Sequence, residues 1–370
     1  MADESPRGTS FERTMSGKAW ADFCDTLKSA GDVILAEGSP TEPLDRAEGF
    51  RYLSRLTRAA LEAFVEYADP LAPVLHRPVH ETAKIGADNP DNYYQHATIS
   101  GAHEYRITGT RGTIHYLDFA TQTSGVASSG DSRQGGHLDA KDMEIGPDGG
   151  LEVILSTERK PGNWLPMTPD TSALIVRQTF LDRAREVPAT LAIERVGGDG
   201  LPTPLTPARL DAGLQSAAGL VVSCAALFAS WAEGFRKRTN ELPKFDDAIS
   251  MGAGGDPNIC YYHGYWRLAP DEALVIEVTP PRCEAWNFQL DNHWMESLDY
   301  RYHRIHVNKH TARYRDDGSV RIVVAHRDPG VENWIETAGH GQGTMCFRWI
   351  RADAHPEPRT RVVKVAELAG

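Results

Sequence analysis

A chain of 370 residues, 41% hydrophobic and 24% charged, has the composition of a globular protein and the length for two or three domains. Its formal net charge of -12 argues against a nucleic-acid partner, because phosphate contacts demand clustered Lys and Arg. No basic helix or RNA-binding sheet signature offsets that balance.

The N-terminus, MADESPRGTSFERT, is polar and mixed in charge, without the apolar core of a signal peptide. Residues 1 to about 14 are expected as a loose tail. Trp20, Phe23, Leu27 and Ile34 then form an apolar stripe at helical spacing, and Phe50, Leu53, Leu56, Ala60, Phe64 and Tyr67 form a second one from Leu44 to Tyr67. Asp69-Pro70 stops it. A polar loop at Asp88 to Asn92 leads into a strand-rich zone. Tyr105 to Phe119 predicts two strands around a glycine-containing turn, and the Ser- and Gly-rich stretch Gly125 to Gly136 predicts a mobile loop. Thr206-Pro207 is an N-cap followed by proline at the first helical position, opening a helix to about Asn240. The most apolar run, Ala217 to Ala232, is interrupted by Gly219, Ser223 and Ser230 and falls short of a membrane span. Strands resume near Tyr261. From Trp286 the pattern has period two, with Trp286, Phe288, Leu290 and Trp294 on one side and Asn287, Gln289, Asp291 and His293 on the other. Tyr300, Tyr302, Arg304 and His306 share a face of the next predicted strand. Five single cysteines without a CxxC fit reduced thiols, so the cytoplasm is the expected location.

The two strand-rich regions resemble each other. Tyr105 to Asp118 lays ungapped on Trp266 to Thr279. Asp148-Gly149 answers to Asp317-Gly318, Asn163-Trp164 to Asn333-Trp334, and Arg177 to Arg348. The expected fold is α+β, mainly β: two tandem jelly-roll-like antiparallel sandwiches with an N-terminal helical cap and a linker helix. The predicted divisions are 1-75 (helical), 76-200 (first β-domain), 201-245 (linker helix) and 246-360 (second β-domain).

Asp317-Gly318-Ser319, Asn333-Trp334-Ile335, Arg348 and Asn163-Trp164-Leu165-Pro166 resemble the signature of the bacterial family called domain of unknown function 1214. The second copy departs at Ile335-Glu336 and in adding Gly339-His340-Gly341, as a divergent member would. The resemblance spans most of residues 90 to 350. It implies side-by-side jelly rolls, an architecture shared with a bacterial peptide N-glycosidase, and carries no catalytic residues with it.

Candidate chemistry concentrates in the second copy. His340 lies in a flexible Gly-His-Gly-Gln-Gly loop, and Glu296 and Asp299 are paired carboxylates suited to acid/base work. Trp286, Trp294, Tyr300 and Trp334 are candidates for an apolar pocket wall, with Asn287, Asn333 and Arg348 fixing a ligand's polar end. For Asn333-Trp334 a structural role, bracing a turn, is favoured, because the first copy keeps the same pair. His303 and His306 alternate on a strand and so face apart, which leaves no expected metal; no nucleotide or flavin fingerprint implies a cofactor. His326 and Asp328 are a weaker base-and-orienter pair. The expectation is an acid/base hydrolase or lyase acting on a small apolar or glycosidic substrate. The alternative is a non-catalytic small-molecule or carbohydrate binder, and a homo-oligomer interface on the aromatic face is a third reading.

Overall fold

The structure, a computed structural model, describes residues 8–123, 134–253 and 255–368. The predicted loop from Gly125 lies outside the described residues as far as position 133; from Gln134 the chain is already strand.

Among the described residues, eight strands build the first sandwich: β1 (Asn92–Thr98), β2 (Tyr105–Thr110), β3 (Tyr116–Gln122), β4 (Gln134–Asp139), β5 (Gly150–Ser156), β6 (Trp164–Pro166), β7 (Ala173–Thr179) and β8 (Thr190–Arg195). Their sheets run β1-β7-β3-β4 and β6-β5-β2-β8. The second sandwich has β9 (Ile259–Arg267), β10 (Glu272–Val278), β11 (Ala285–Leu290), β12 (His306–Asn308), β13 (Val320–Ala325), β14 (Trp334–Glu336), β15 (Gln342–Ile350) and β16 (Arg359–Lys364). Its sheets run β9-β15-β11-β12 and β14-β13-β10-β16. Adding eight to every strand number converts the first domain into the second. The chain is two copies of one sandwich. The last strand carries the second copy to Lys364, past the predicted boundary at 360.

Pairing registers correct one part of the repeat. Leu155 pairs with both Tyr105 and Leu165, and Val324 pairs with both Leu274 and Ile335. Tyr105 therefore corresponds to Leu274, not to Trp266. An aromatic-Arg-apolar triplet is too generic a strand pattern to fix register. The later anchors keep their partners: Trp164 and Trp334 occupy equivalent parallel rungs, and each indole donates to the carbonyl of an equivalent residue, Ser156 at 3.2 Å and Ala325 at 3.0 Å.

Within each strand the apolar alternation sorts side chains. Phe119, Leu174 and Val176 fill the first core, and Trp286, Phe288, Phe347 and Trp349 the second. The residues between them, among them Asp118, Arg177, Asn287, Gln289 and Arg348, point out of the sandwiches and toward the seam, where those of the two copies lie close.

Among the described residues, five α-helices form the layer over that seam, α1 and α2 packing on the others: α1 (Ser10–Met15), α2 (Lys18–Leu35), α3 (Pro43–Leu61), α4 (Pro207–Arg236) and α5 (Asp247–Gly252). The predicted loose tail is in part α1, capped by Thr9 and tied to α4 by buried Arg13, whose Nε lies 3.0 Å from Asp211 Oδ2. The cap and linker helices share one core, with Phe23, Ile34, Leu56, Leu214, Val221 and Phe228 packed together. Trp20 and Phe50, expected on the apolar stripes, are instead exposed. Thr206 caps α4 as predicted, accepting from the Arg209 amide at 3.2 Å. By length and composition α4 could cross a membrane, contrary to the reading of its central run, but here it packs on α2, α3 and β9.

Trp294 belongs to this helical core rather than to the sandwich face of Trp286, because the chain turns after β11. Its indole donates to the Asp45 carbonyl at 2.8 Å, and Gly49 lets α3 approach so closely that a Cβ there would stand 2.8 Å from the ring. The predicted strand from Tyr300 also shrinks to His306–Asn308, with turns before it.

Candidate ligand cavity between the repeats

A cavity of about 390 Å³ lies where the outer faces of β1, β7, β9 and β15 meet α3 and α4. That volume is within the usual range for small-molecule sites. Phe64, Ile85, Leu220, Phe228, Trp231 and Phe245 supply most of its apolar wall. The polar wall obeys the repeat. Tyr94 pairs with Arg177 across β1 and β7, as Tyr261 pairs with Arg348 across β9 and β15. Two residues along each first strand stand His96 and His263. All six line the cavity.

The symmetry breaks at one position. Arg177 faces Asp118 across the sheet, and its Nη1 lies 3.2 Å from Asp118 Oδ2. Arg348 faces Asn287 at the equivalent rung. Its Nη1 donates to Gln289 Oε1 at 2.5 Å and to Asn287 Oδ1 at 3.3 Å, and its Nη2 donates to the Ala87 carbonyl. All three acceptors are uncharged, and no ion pair to Arg348 is formed among the described residues. A 4% exposed guanidinium held in this way keeps an unneutralised charge against the cavity.

Both imidazoles are uncharged at neutral pH. Burial pushes His96 and His263 down to about 3. His96 Nε2 and His263 Nδ1 have no hydrogen-bond partner among the described residues, at equivalent places in the two copies. Burial also raises Tyr94 and Tyr261, so both phenols stay protonated as donors. His263 Nε2 lies 3.8 Å from Cys346 Sγ, but burial pushes that thiol up to about 12, which leaves it a poor nucleophile.

Behind Arg348, Gln289 Nε2 donates to Asp291 Oδ1 at 2.5 Å, while Asp291 Oδ2 has no partner among the described residues. Burial pushes this carboxyl up to about 8. A raised carboxyl binds its proton more tightly folded than unfolded. Its contribution is therefore complete below about pH 4 and is lost as pH climbs toward 8. Asp291→Asn, which imitates the protonated form, should raise the melting temperature at pH 8 by several degrees, with the advantage gone by about pH 4. Parallel melting curves for the two proteins at several pH values would show it.

The sequence-predicted site residues do not converge. His340 is buried, but its Nδ1 lies 3.1 Å from Asp45 Oδ1, and Gln342 Nε2 donates to Asp45 Oδ2 at 3.1 Å. It joins α3 to the second sandwich. His340→Ala should cost about 1–3 kcal/mol of unfolding free energy by leaving the buried Oδ1 of Asp45 without its partner, measured by urea denaturation, with ligand affinity unchanged. Glu296 is fully buried against Arg55, Oε1 to Nη1 being 2.7 Å. Asp299 pairs with Arg301 near the surface, and that contact holds its carboxyl down to about 2. None of these three lines the cavity. Trp286 lies in the second core, stacked on Phe347 at 5.6 Å. Trp294 sits in the helical core, and Tyr300 covers the Lys84 ammonium, 4.9 Å from its ring centroid. Asn333 braces a turn: it accepts from the Arg313 amide at 2.7 Å and donates to the Arg313 and Arg321 carbonyls. Asn163 repeats that pattern at Glu144 and Glu152. Trp334 packs against the second sandwich beside it. Asn287 donates to Asp91 Oδ2 at 2.9 Å across the seam and supports Arg348. His326 bonds Thr337 Oγ1 at 2.8 Å and Asp328 closes its own turn, so the two are not paired.

Of the predicted residues, only Arg348 lines the cavity directly. The Tyr-x-His element shared by Tyr94-Gln95-His96 and Tyr261-Tyr262-His263 was the sequence signal for the rest, visible once β1 and β9 are compared.

Fold and cavity together define a class: twin sandwiches that enclose, under a helical layer, a mostly apolar chamber with a buried cation. The chain belongs to the family of proteins of unknown function DUF1214, which matches residues 91–179 and 269–354, once in each sandwich. It is similar to an uncharacterised protein from Burkholderia cenocepacia of known crystal structure, at 55% identity over 96% of this chain and 99% of that one, with a TM-score of 0.94. It is also similar in fold to the VPA0106 protein from Vibrio parahaemolyticus, at 14% identity over 86% of this chain and 98% of that one, with a TM-score of 0.51. No curated protein matches it.

Proposed function

We propose that the protein binds a small, mostly apolar carboxylate, or a similar oxyanion, in the cavity between the repeats. The observation that carries this reading is Arg348, a buried cation whose own partners are all uncharged. A carboxylate beside it gains a charge-assisted contact in a largely buried site, where such contacts are strong. The unpartnered nitrogens of His96 and His263 and the phenols of Tyr94 and Tyr261 offer further polar contacts, and the aromatic wall receives the tail.

Hydrolysis or elimination by an acid/base pair draws little support from this wall, whose one carboxylate among the described residues, Asp88, is engaged by the Ser297 amide at 2.9 Å and hydroxyl at 2.8 Å. Its imidazoles protonate near 3 and its phenols stay protonated, both far from the range in which a general base works at neutral pH. Binding is therefore the reading favoured over turnover. The test is a set of matched ligands, decanoate and naphthoate against the corresponding amides, titrated by calorimetry. Acids binding at least about 10-fold more tightly than their amides support the proposal, since a charge-assisted hydrogen bond contributes roughly 1.5–3 kcal/mol. Equal affinities would overturn it.

A further inference from the structure

A second cluster, which does not include Arg348, joins the two sandwiches. Asp118 on β3 and His137 on β4 come from the first sandwich, and Asp256 from the turn that leads into β9 of the second. One potential ligand atom from each lies within 4.8 Å of the others. Asp118 and Asp256 are 0% and 1% exposed. His137 Nε2 and Asp118 Oδ1 are in direct contact. Asp256 uses its Oδ1 to accept from the Asn258 amide at 2.8 Å and side chain at 3.1 Å, while Oδ2 is buried with no partner among the described residues. A buried carboxylate oxygen left unpartnered beside another carboxylate is costly unless a cation joins them.

From this geometry we infer that Asp118, His137 and Asp256 form a divalent transition-metal site, taking Zn²⁺ or Mn²⁺, that staples the two sandwiches together. Two carboxylates and one imidazole are a mixed oxygen and nitrogen donor set, which suits those ions better than Ca²⁺ or Mg²⁺. Donors about 2.0–2.2 Å from one ion stand about 3.4 Å apart in a tetrahedral site, so His137 and Asp118, now in direct contact, part to admit the ion while Asp256 closes on it. Asp118 reaches Arg177 through its other oxygen, Oδ2, which leaves Oδ1 for the ion. A surface pocket lined by Asp256, Asn258 and Arg351 gives access from solvent and room for water ligands. Because the ligands come from both copies, the ion binds the assembled form and not separated sandwiches.

The experiment is elemental analysis of the purified full-length protein, followed by metal stripping and titration with ZnCl₂, MnCl₂ and MgCl₂, read by calorimetry and by melting temperature. The expected result is one equivalent of zinc or manganese, with a rise of roughly 5 °C at a hundredfold excess over the dissociation constant. Asp256→Asn and, independently, the more accessible His137→Gln should each lower affinity at least about 10-fold. His137→Gln guards against a folding defect in the other variant. If zinc and manganese bind at less than one equivalent, or bind equally well to both variants, the site is refuted. Asp256→Asn raising stability with no metal effect in either protein would show instead a buried His-carboxylate cluster.

Discussion

Arg348→Met is expected to weaken binding of the carboxylate ligand by about 10- to 150-fold, the equivalent of losing a charge-assisted contact of roughly 1.5–3 kcal/mol. Affinity for the matching amide should change by no more than about threefold, since the apolar wall is untouched. The two ligands separate a lost charge from a damaged cavity. Some stability will also go, because Gln289 Oε1 and the Ala87 carbonyl both lose their donor. Arg177→Met should act differently. Arg177 is already paired with Asp118, so its loss leaves that buried carboxylate with only His137 beside it and falls on stability more than on ligand affinity. An acid and an amide that lose affinity equally on Arg348→Met would contradict the assignment.

Arg55→Met is expected to be the most destabilising single change, at about 3–5 kcal/mol, because it strands fully buried Glu296 without its cation. The pH dependence gives the mechanism away. Burial already holds the Glu296 carboxyl above its ordinary range, and removal of Arg55 pushes it higher. A raised carboxyl contributes fully below its unfolded pKa and less as pH rises, so the deficit should be largest near pH 8 and shrink toward pH 5. Replacing both partners, as Arg55→Met with Glu296→Leu, should recover most of the loss. Urea denaturation of the parent protein and the two variants at both pH values reads all of this. A deficit independent of pH would point to lost packing instead.

These two residues also mark what could be read from the chain. Twin sandwiches, the capping helix start at Thr206 and the bracing Asn-Trp pairs follow from local rules: period-two apolar alternation, turn chemistry and repeated order. Arg348 was legible as the closing residue of both copies. Glu296 and His340 have residue types that suit chemistry, but both bind to α3, at Arg55 and Asp45 respectively, more than 240 positions earlier in the chain. No local pattern encodes such a partner. The cavity was hidden for the same reason: its walls come from β1, β7, β9, β15 and the helices α3, α4 and α5, and only the Tyr-x-His element betrays that the strands share a role. Comparing the copies at the register of Tyr105 with Trp266 shifted β2 by eight positions and concealed that element.

The pairing of Asp118 with Arg177 against Asn287 with Arg348 shows how a duplicated domain acquires one distinctive charge. A single carboxylate-to-amide difference leaves one guanidinium satisfied inside the protein and the other facing the cavity. The most direct test of this account is a crystal structure of the protein with bound decanoate. The carboxylate is predicted within hydrogen-bond distance of Arg348, with the chain running along Phe228 and Trp231. A carboxylate in solvent with the tail alone in the cavity, or decanoate seated outside the cavity, would contradict it.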